Sequence, residues 1–95
     1  MEEGLKQFEN TPGAILLDVR SADEYQKGRI PGSKNFPLQQ HPTIGTMISD
    51  KDTPIFVYCL SGGRSARAVA FLKKVGYTNV TNIGGINSYN GPLER

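Results

Sequence analysis

Cysteine and histidine are nearly absent: the 95 residues hold one of each, Cys59 and His41. A single cysteine excludes an intrachain disulfide and any cysteine-rich metal site. Zinc needs three or four N, S or O ligands, so no metal is expected. His41 lies in Gln39-Gln40-His41-Pro42, a polar stretch that reads as an exposed loop. Long apolar runs are also lacking. None approaches the roughly 20 residues that cross a bilayer. The start, Met1-Glu2-Glu3-Gly4-Leu5-Lys6, is without the basic-then-apolar pattern of a signal peptide. Neither sign of charge dominates: 11 basic against 9 acidic residues leave a net +2. That balance is too even for a dedicated binder of nucleic acid or of a membrane surface. A soluble, cytoplasmic chain is expected.

What is present is globular composition. Apolar residues make up 37% and charged residues 21%, with 11 Gly and 6 Pro, which suits a turn-rich fold and not a disordered tail. The length fits one domain, residues 1–95. A chain of this size buries roughly 60–65% of its unfolded surface, enough for one modest core.

The pattern along the chain alternates helix and strand. Residues 2–9 suit a short helix with Leu5 and Phe8 three apart, closed by the turn cluster Asn10-Thr11-Pro12-Gly13. Ala14 to Val19 is a continuous apolar run interrupted by Asp18, as in a strand buried on both faces. Ser21-Ala22-Asp23-Glu24 is a capping box, predicting a helix over 22–27 that stops at Gly28. Lys34-Asn35-Phe36-Pro37 reads as a minimal strand. In 38–53, Ile44, Met47 and Ile48 suggest one helical stretch. Pro54 to Cys59 is the clearest strand. Arg64 to Val75 reads as helix, with Ala68, Phe71, Leu72 and Val75 on one stripe and Gly76 as the stop. Val80 to Ile83 is a last strand, followed by Gly84-Gly85, which reads as a turn. This order implies an α/β fold, a parallel sheet with helices on both faces.

Cys59 then falls at the carboxyl end of a central strand, where open α/β sheets place their ligands. Leu60-Ser61-Gly62-Gly63-Arg64-Ser65 must curl at once into a helix N-terminus. Two adjacent glycines permit positive φ, so successive N–H groups converge on one point. The helix dipole adds positive potential there. A thiol in that cradle ionises more readily, and the thiolate is the nucleophile. The same cradle stabilises negative charge one atom further out, on a persulfide or a bound oxyanion. The competing reading is a buried, inert cysteine that merely closes a strand. It leaves the Gly-rich turn and the basic helix start unexplained.

These residues resemble a rhodanese-like domain in its small single-domain form. Leu17-Asp18-Val19-Arg20 with Glu24-Tyr25, and then Gly28 to Pro37, are similar to the family's first signature. Tyr58 to Ser65 is similar to its active-site loop, and Gly84 to Tyr89 with Gly91-Pro92 to its closing signature. The resemblance implies a rhodanese-like parallel sheet of four to five strands. It implies sulfur transfer, in which Cys59 attacks a sulfane sulfur donor, holds a persulfide and passes the outer sulfur to a thiol or to cyanide. A protein is a further candidate acceptor. Leu60, Ser61, Gly62, Gly63, Arg64 and Ser65 match the loop around the persulfide, and no cofactor or metal is implied. The chain also departs from the family pattern. Arg29 stands where the family has His, Ser33 where it has Ala, and Tyr89 where it commonly has Trp. Glu24 and Ser61 replace two basic residues of the two-domain thiosulfate enzymes. Thiosulfate and a persulfide therefore both remain candidate donors. Residue 1 falls about where the family's first helix begins, so the strand that usually precedes it is missing here or belongs to a longer chain.

Three supporting side chains need separate readings. Arg64 either binds the donor anion or, as favoured here, braces the loop by pairing with Asp18 or Glu24. Asp18 reads equally as an orienting acceptor near the loop or as a local cap. Arg20 reads as one half of a structural ion pair. Two rival functions follow. Phosphatases of the related Cys-loop type space Cys and Arg by five residues, whereas four separate Cys59 from Arg64, so phosphate would be crowded. The other rival is a non-catalytic binding or regulatory module on the same fold, or a sulfur-delivery domain of a larger protein.

Overall fold

The computed structural model describes residues 1–37 and 44–95. His41 and the start of the 38–53 stretch lie outside the described residues. In chain order the elements are α1 (Glu2–Glu9), β1 (Ile15–Asp18), α2 (Ala22–Lys27), β2 (Lys34–Asn35), α3 (Ile44–Met47), β3 (Ile55–Cys59), α4 (Gly63–Lys74) and β4 (Val80–Gly85), with a 3-10 turn at Ile86–Ser88. The four strands form one parallel sheet in the order β2-β1-β3-β4. Leu17 lies beside Val57 and Asp18 beside Tyr58, so β1 and β3 end together at one edge of the sheet.

Both faces of the sheet are covered, which is why its strands read as continuous apolar runs. Leu17, Val19, Ile55, Val57 and Cys59 face a core shared with Ala68 and Leu72 of α4, Ile44 of α3, and Ile48. Leu16, Phe56, Tyr58 and Ile83 face the opposite side, where Leu5 and Phe8 of α1 pack. Phe8 meets Phe56 edge-on, with ring centroids 5.9 Å apart. Fully burying one Leu or Phe side chain stabilises by about 1.5–3 kcal/mol. Helix α1 buries no residue fully, whereas α4 buries Ala68 and Leu72, so α4 is the more firmly held of the two.

The capping box forms as the sequence spells it. The Ser21 hydroxyl accepts from the Glu24 amide at 3.2 Å, and the Glu24 carboxylate accepts from the Ser21 amide at 3.0 Å. Elsewhere the structure bears out one helical stretch, as a short one, and corrects two expectations. Helix α4 starts at Gly63 and ends at Lys74, so Val75 does not continue the buried stripe and is 38% exposed. The chain turns at Gly76, with φ +109°, and Tyr77 enters the core in its place. The helical stretch carried by Ile44, Met47 and Ile48 is a single turn. Finally, Gly84 and Gly85 are not a turn after β4 but its last two residues. Register slips there: Asn82 lies beside Val57 and Gly84 beside Tyr58, leaving Ile83 as the extra residue of a bulge. Gly84 takes φ +103° at this irregularity.

Candidate active site

Cys59 is the last residue of β3 and is 1% exposed. The chain leaves the strand, reverses at Gly62 and enters α4 at Gly63. Of the two adjacent glycines only Gly62 uses its freedom, with φ +103°; Gly63 is already helical. This single left-handed residue turns the Gly62 N–H onto Cys59 Sγ at 2.9 Å. The Ser65 hydroxyl stands 3.5 Å from the same sulfur. Burial pushes the Cys59 thiol up. Hydrogen bonding from the Ser65 side chain and from the amides of Ser65, Gly62 and Ser61 outweighs it, and the net shift is downward. Such a loop favours the thiolate.

Strand β4 supports the loop from below. A Cβ on Gly85 would collide with the Leu60 carbonyl oxygen and lie 2.6 Å from Ser61 Cα, so only glycine lets the loop sit this close. The Leu60 carbonyl accepts from the Asn87 amide at 3.2 Å, while the residue as a whole is 46% exposed beside Cys59. Ser65 is fully buried; its hydroxyl donates within reach of Gly62 O at 2.9 Å and Asn82 Oδ1 at 2.8 Å.

The charged residues are arranged in two pairs. Arg64 donates from Nη1 and Nη2 to the two carboxylate oxygens of Glu24, at 2.7 and 3.0 Å, which braces the start of α4 against α2. The partner is Glu24 and not Asp18. The Arg64 guanidinium holds Glu24 well down, to about 2. Asp18 is fully buried and accepts from the backbone N–H, Nε and Nη2 of Arg20. Arg20 Nη2 also donates to Gly28 O at 2.7 Å, and its guanidinium lies 5.9 Å from the Tyr58 ring centroid. Asp18 is therefore not an orienting acceptor for the cysteine loop: its carboxylate is occupied by Arg20, two residues away. Asn35 fixes the same corner by donating from Nδ2 to the carbonyls of Asp18 and Arg20, both at 3.0 Å.

The structure thus gathers Leu60 to Ser65 around Cys59 and sets Asp18 with Arg20 apart as a separate structural pair. Asn82 is the residue that sequence reasoning missed. A carboxamide inside the last strand, two residues ahead of Gly84-Gly85, is the available signal. Arg29, at the family's His position, pairs with Glu94 at 3.2 Å and stacks on Tyr25, 4.7 Å from its ring centroid.

Comparison with known proteins agrees with this architecture. The family profile of the rhodanese-like domain matches residues 1–91. Thiosulfate sulfurtransferase PspE of Escherichia coli is 38% identical over 71 residues, which are 74% of this chain and 68% of that protein. The adenylyltransferase and sulfurtransferase uba4 of Ogataea parapolymorpha is 35% identical over 91 residues, 95% of this chain but only 23% of that protein. Among solved structures, a rhodanese with anions from E. coli superposes with a TM-score of 0.79 at 34% identity, covering 86% of this chain and 98% of that one. The chain belongs to the rhodanese-like domain family.

Proposed function

We propose that residues 1–95 act as one rhodanese-like sulfurtransferase domain that carries sulfane sulfur on Cys59. The Cys59 thiolate attacks the outer sulfur of the donor. An S–S bond forms to Cys59 as the donor's own bond to that sulfur breaks, and the electron pair leaves with sulfite (from thiosulfate) or with a thiolate (from a persulfide). The anionic persulfide then gives its outer sulfur to cyanide or to an acceptor thiolate, and the bonding pair returns to Cys59 as thiolate. No oxidant or cofactor enters the balance. The single observation that carries the reading is the Gly62 N–H on Sγ at 2.9 Å. Amides fixed in place before reaction stabilise negative charge wherever it sits on the sulfur chain.

Arg64 of the loop and Arg20 beyond it are each paired with a carboxylate. A doubly charged donor therefore finds no unpaired guanidinium on Arg20 or Arg64, and a persulfide fits at least as well as thiosulfate. The roles assigned to Leu60, Ser61, Gly62, Gly63, Arg64 and Ser65 follow: the amides hold the anion, Leu60 offers an apolar contact at the mouth, and Arg64 braces. The reading takes the cytoplasm as the setting, where thiols stay reduced. A protein acceptor is a second form of the same reading. It draws on the similarity of 95% of this chain to a quarter-length part of a longer sulfurtransferase.

Intact mass after incubation with thiosulfate, and separately with glutathione persulfide, tests the proposal. Wild type is expected to gain one sulfur atom and lose it to cyanide, while Cys59→Ser gains none. No adduct from either donor, or an equal adduct on Cys59→Ser, overturns it.

A further inference from the structure

Asn82 is exposed, yet its carboxamide turns inward to the start of α4 and binds three groups at once. Oδ1 accepts from Ser65 Oγ at 2.8 Å and from the Gly84 amide at 2.9 Å, while Nδ2 donates to Gly62 O at 3.4 Å. Ser65 has one hydroxyl proton. Around its oxygen stand Asn82 Oδ1, Gly62 O at 2.9 Å, and Cys59 Sγ and Gly84 O, each at 3.5 Å. The destination of that proton decides what Ser65 shows the sulfur. With the proton on Asn82, Ser65 presents lone pairs and accepts from a neutral thiol. With the proton turned to Sγ, it donates to a thiolate or persulfide.

We propose that Asn82 is a positioning residue for Cys59, acting through Ser65: its Oδ1 competes with the sulfur for the one Ser65 proton and so sets how strongly Ser65 stabilises the anionic sulfur. The shorter contact to Asn82 favours the competitor while the thiol is neutral. Charge on the sulfur reverses the balance, because a hydrogen bond to an ion is roughly twice as strong as a neutral one. Ser65 therefore turns toward the sulfur as it becomes anionic. The significance of this control for catalysis rests on Cys59 being the sulfur carrier. The test does not, because it reads the thiol alone.

The experiment is the pH dependence of Cys59 alkylation by iodoacetamide, with thiolate absorbance as a second reading. It compares wild type, Asn82→Asp, Ser65→Ala and the double variant. Aspartate keeps the size and both acceptor contacts, gives up the long Nδ2 donation to Gly62 O, and by its charge holds the Ser65 proton more tightly. The midpoint is expected to rise by about one pH unit when Ser65 is present. In the Ser65→Ala background the same substitution should move it by less than half as much. The charged groups of the neighbouring elements, Glu24 of α2 with Arg64 of α4 and Asp18 of β1 with Arg20, are paired with each other, and none of the substitutions replaces them. An equal rise in both backgrounds would show a charge acting through space, and an unmoved midpoint would show no competition; either overturns the proposal. Should Asn82→Asp fail to fold, Asn82→Ala makes the comparison with the sign reversed. Its midpoint falls when Ser65 is present, by less than the aspartate shift because Gly62 O at 2.9 Å still accepts that proton, and holds when Ser65 is absent. A shift of equal size in both backgrounds, or in neither, again overturns it. A protein that passes this test and fails to load sulfur would sink the proposed function and leave the role of Asn82 standing.

Discussion

Glu24 and Arg64 stand 40 residues apart in sequence and meet through two hydrogen bonds, at 2.7 and 3.0 Å. The pair joins the capping box of α2 to the first turn of α4, directly behind the cysteine loop. Both side chains are 32% exposed, so solvent screens the pair and its contribution is of order 1 kcal/mol or less. Its pH signature is clearer than its size. The folded Glu24 sits at about 2, below its ordinary 4.5. A depressed carboxyl contributes stability that is present above the ordinary value and is lost as pH falls through the folded one. Glu24→Gln keeps a capping-box side chain while removing the charge. Melting temperatures are therefore expected to differ at pH 6 and to converge between about pH 4.5 and pH 2. A gap between the two proteins that does not depend on pH would refute the assignment.

Loop geometry was more legible in the sequence than side-chain partnership. The alternation of apolar runs with the Ser21 capping box and the Gly76 stop gave the element order, because periodicity and caps are local signals. The strand ending in Cys59 followed by two glycines gave the cradle. It did not show that Gly62 alone turns. Arg64 was narrowed to two carboxylates, and choosing Glu24 required knowing that α2 packs beside the start of α4. Asp18 reads equally from the sequence as a loop acceptor or a local cap, and its bond from the Arg20 amide makes it the cap, because strand ends share an edge without sharing contacts. Its bond to Arg20 spans only two residues but depends on the chain bending back after β1. The bulge at Ile83, and with it the role of Asn82, depends on strand pairing that no single segment encodes.

Arg20 and Asp18 form a second pair under different conditions. Their side chains are 6% and 0% exposed, so neither is rescued by water if the other is removed. Arg20→Leu leaves a buried carboxylate that keeps the amide of position 20 as a donor but has lost the guanidinium. Loss of one partner in a buried pair costs about 3–5 kcal/mol. Urea unfolding of Arg20→Leu is expected to show a loss in that range, and Asp18→Asn a loss as well, because one of the two accepting oxygens becomes an NH2 facing the Arg20 donors and the buried guanidinium loses its counter-charge. A change below 1 kcal/mol in Arg20→Leu would show that the pair is dispensable.

The Cys59 thiol carries its own pH dependence. Its folded value lies below the ordinary 9.0, with burial opposing and the Ser65 hydroxyl and loop amides prevailing. Between the folded and unfolded values the unfolded chain binds more protons, so stability rises with pH across that window. The alkylation midpoint of the native protein should accordingly lie below that of the same protein unfolded in urea. A native midpoint at or above the unfolded one would mean that burial outweighs the cradle, and the inert reading of Cys59 would stand.

Gly62 and Gly85 shape the loop for different reasons, and alanine at each separates them. At Gly62 the obstacle is conformational: φ is +103°, but a Cβ would make ordinary contacts with Gly84, at 3.7 Å from its Cα and 3.8 Å from its carbonyl carbon. Holding an L-residue in such a region costs of order 1–3 kcal/mol. At Gly85 the backbone is extended and the obstacle is steric, since a Cβ would lie 2.7 Å from the Leu60 carbonyl carbon and 2.6 Å from Ser61 Cα. Those atoms are backbone, so relief comes only by lifting the loop off β4. Gly62→Ala is therefore expected to lower the melting temperature while the surviving fold keeps much of its thiol reactivity at pH 7. Gly85→Ala is expected to raise the alkylation midpoint, because a lifted loop no longer aims its amides at Sγ. Alkylation and melting measured on both variants check this, and an unchanged midpoint in Gly85→Ala would show that β4 does not set the loop.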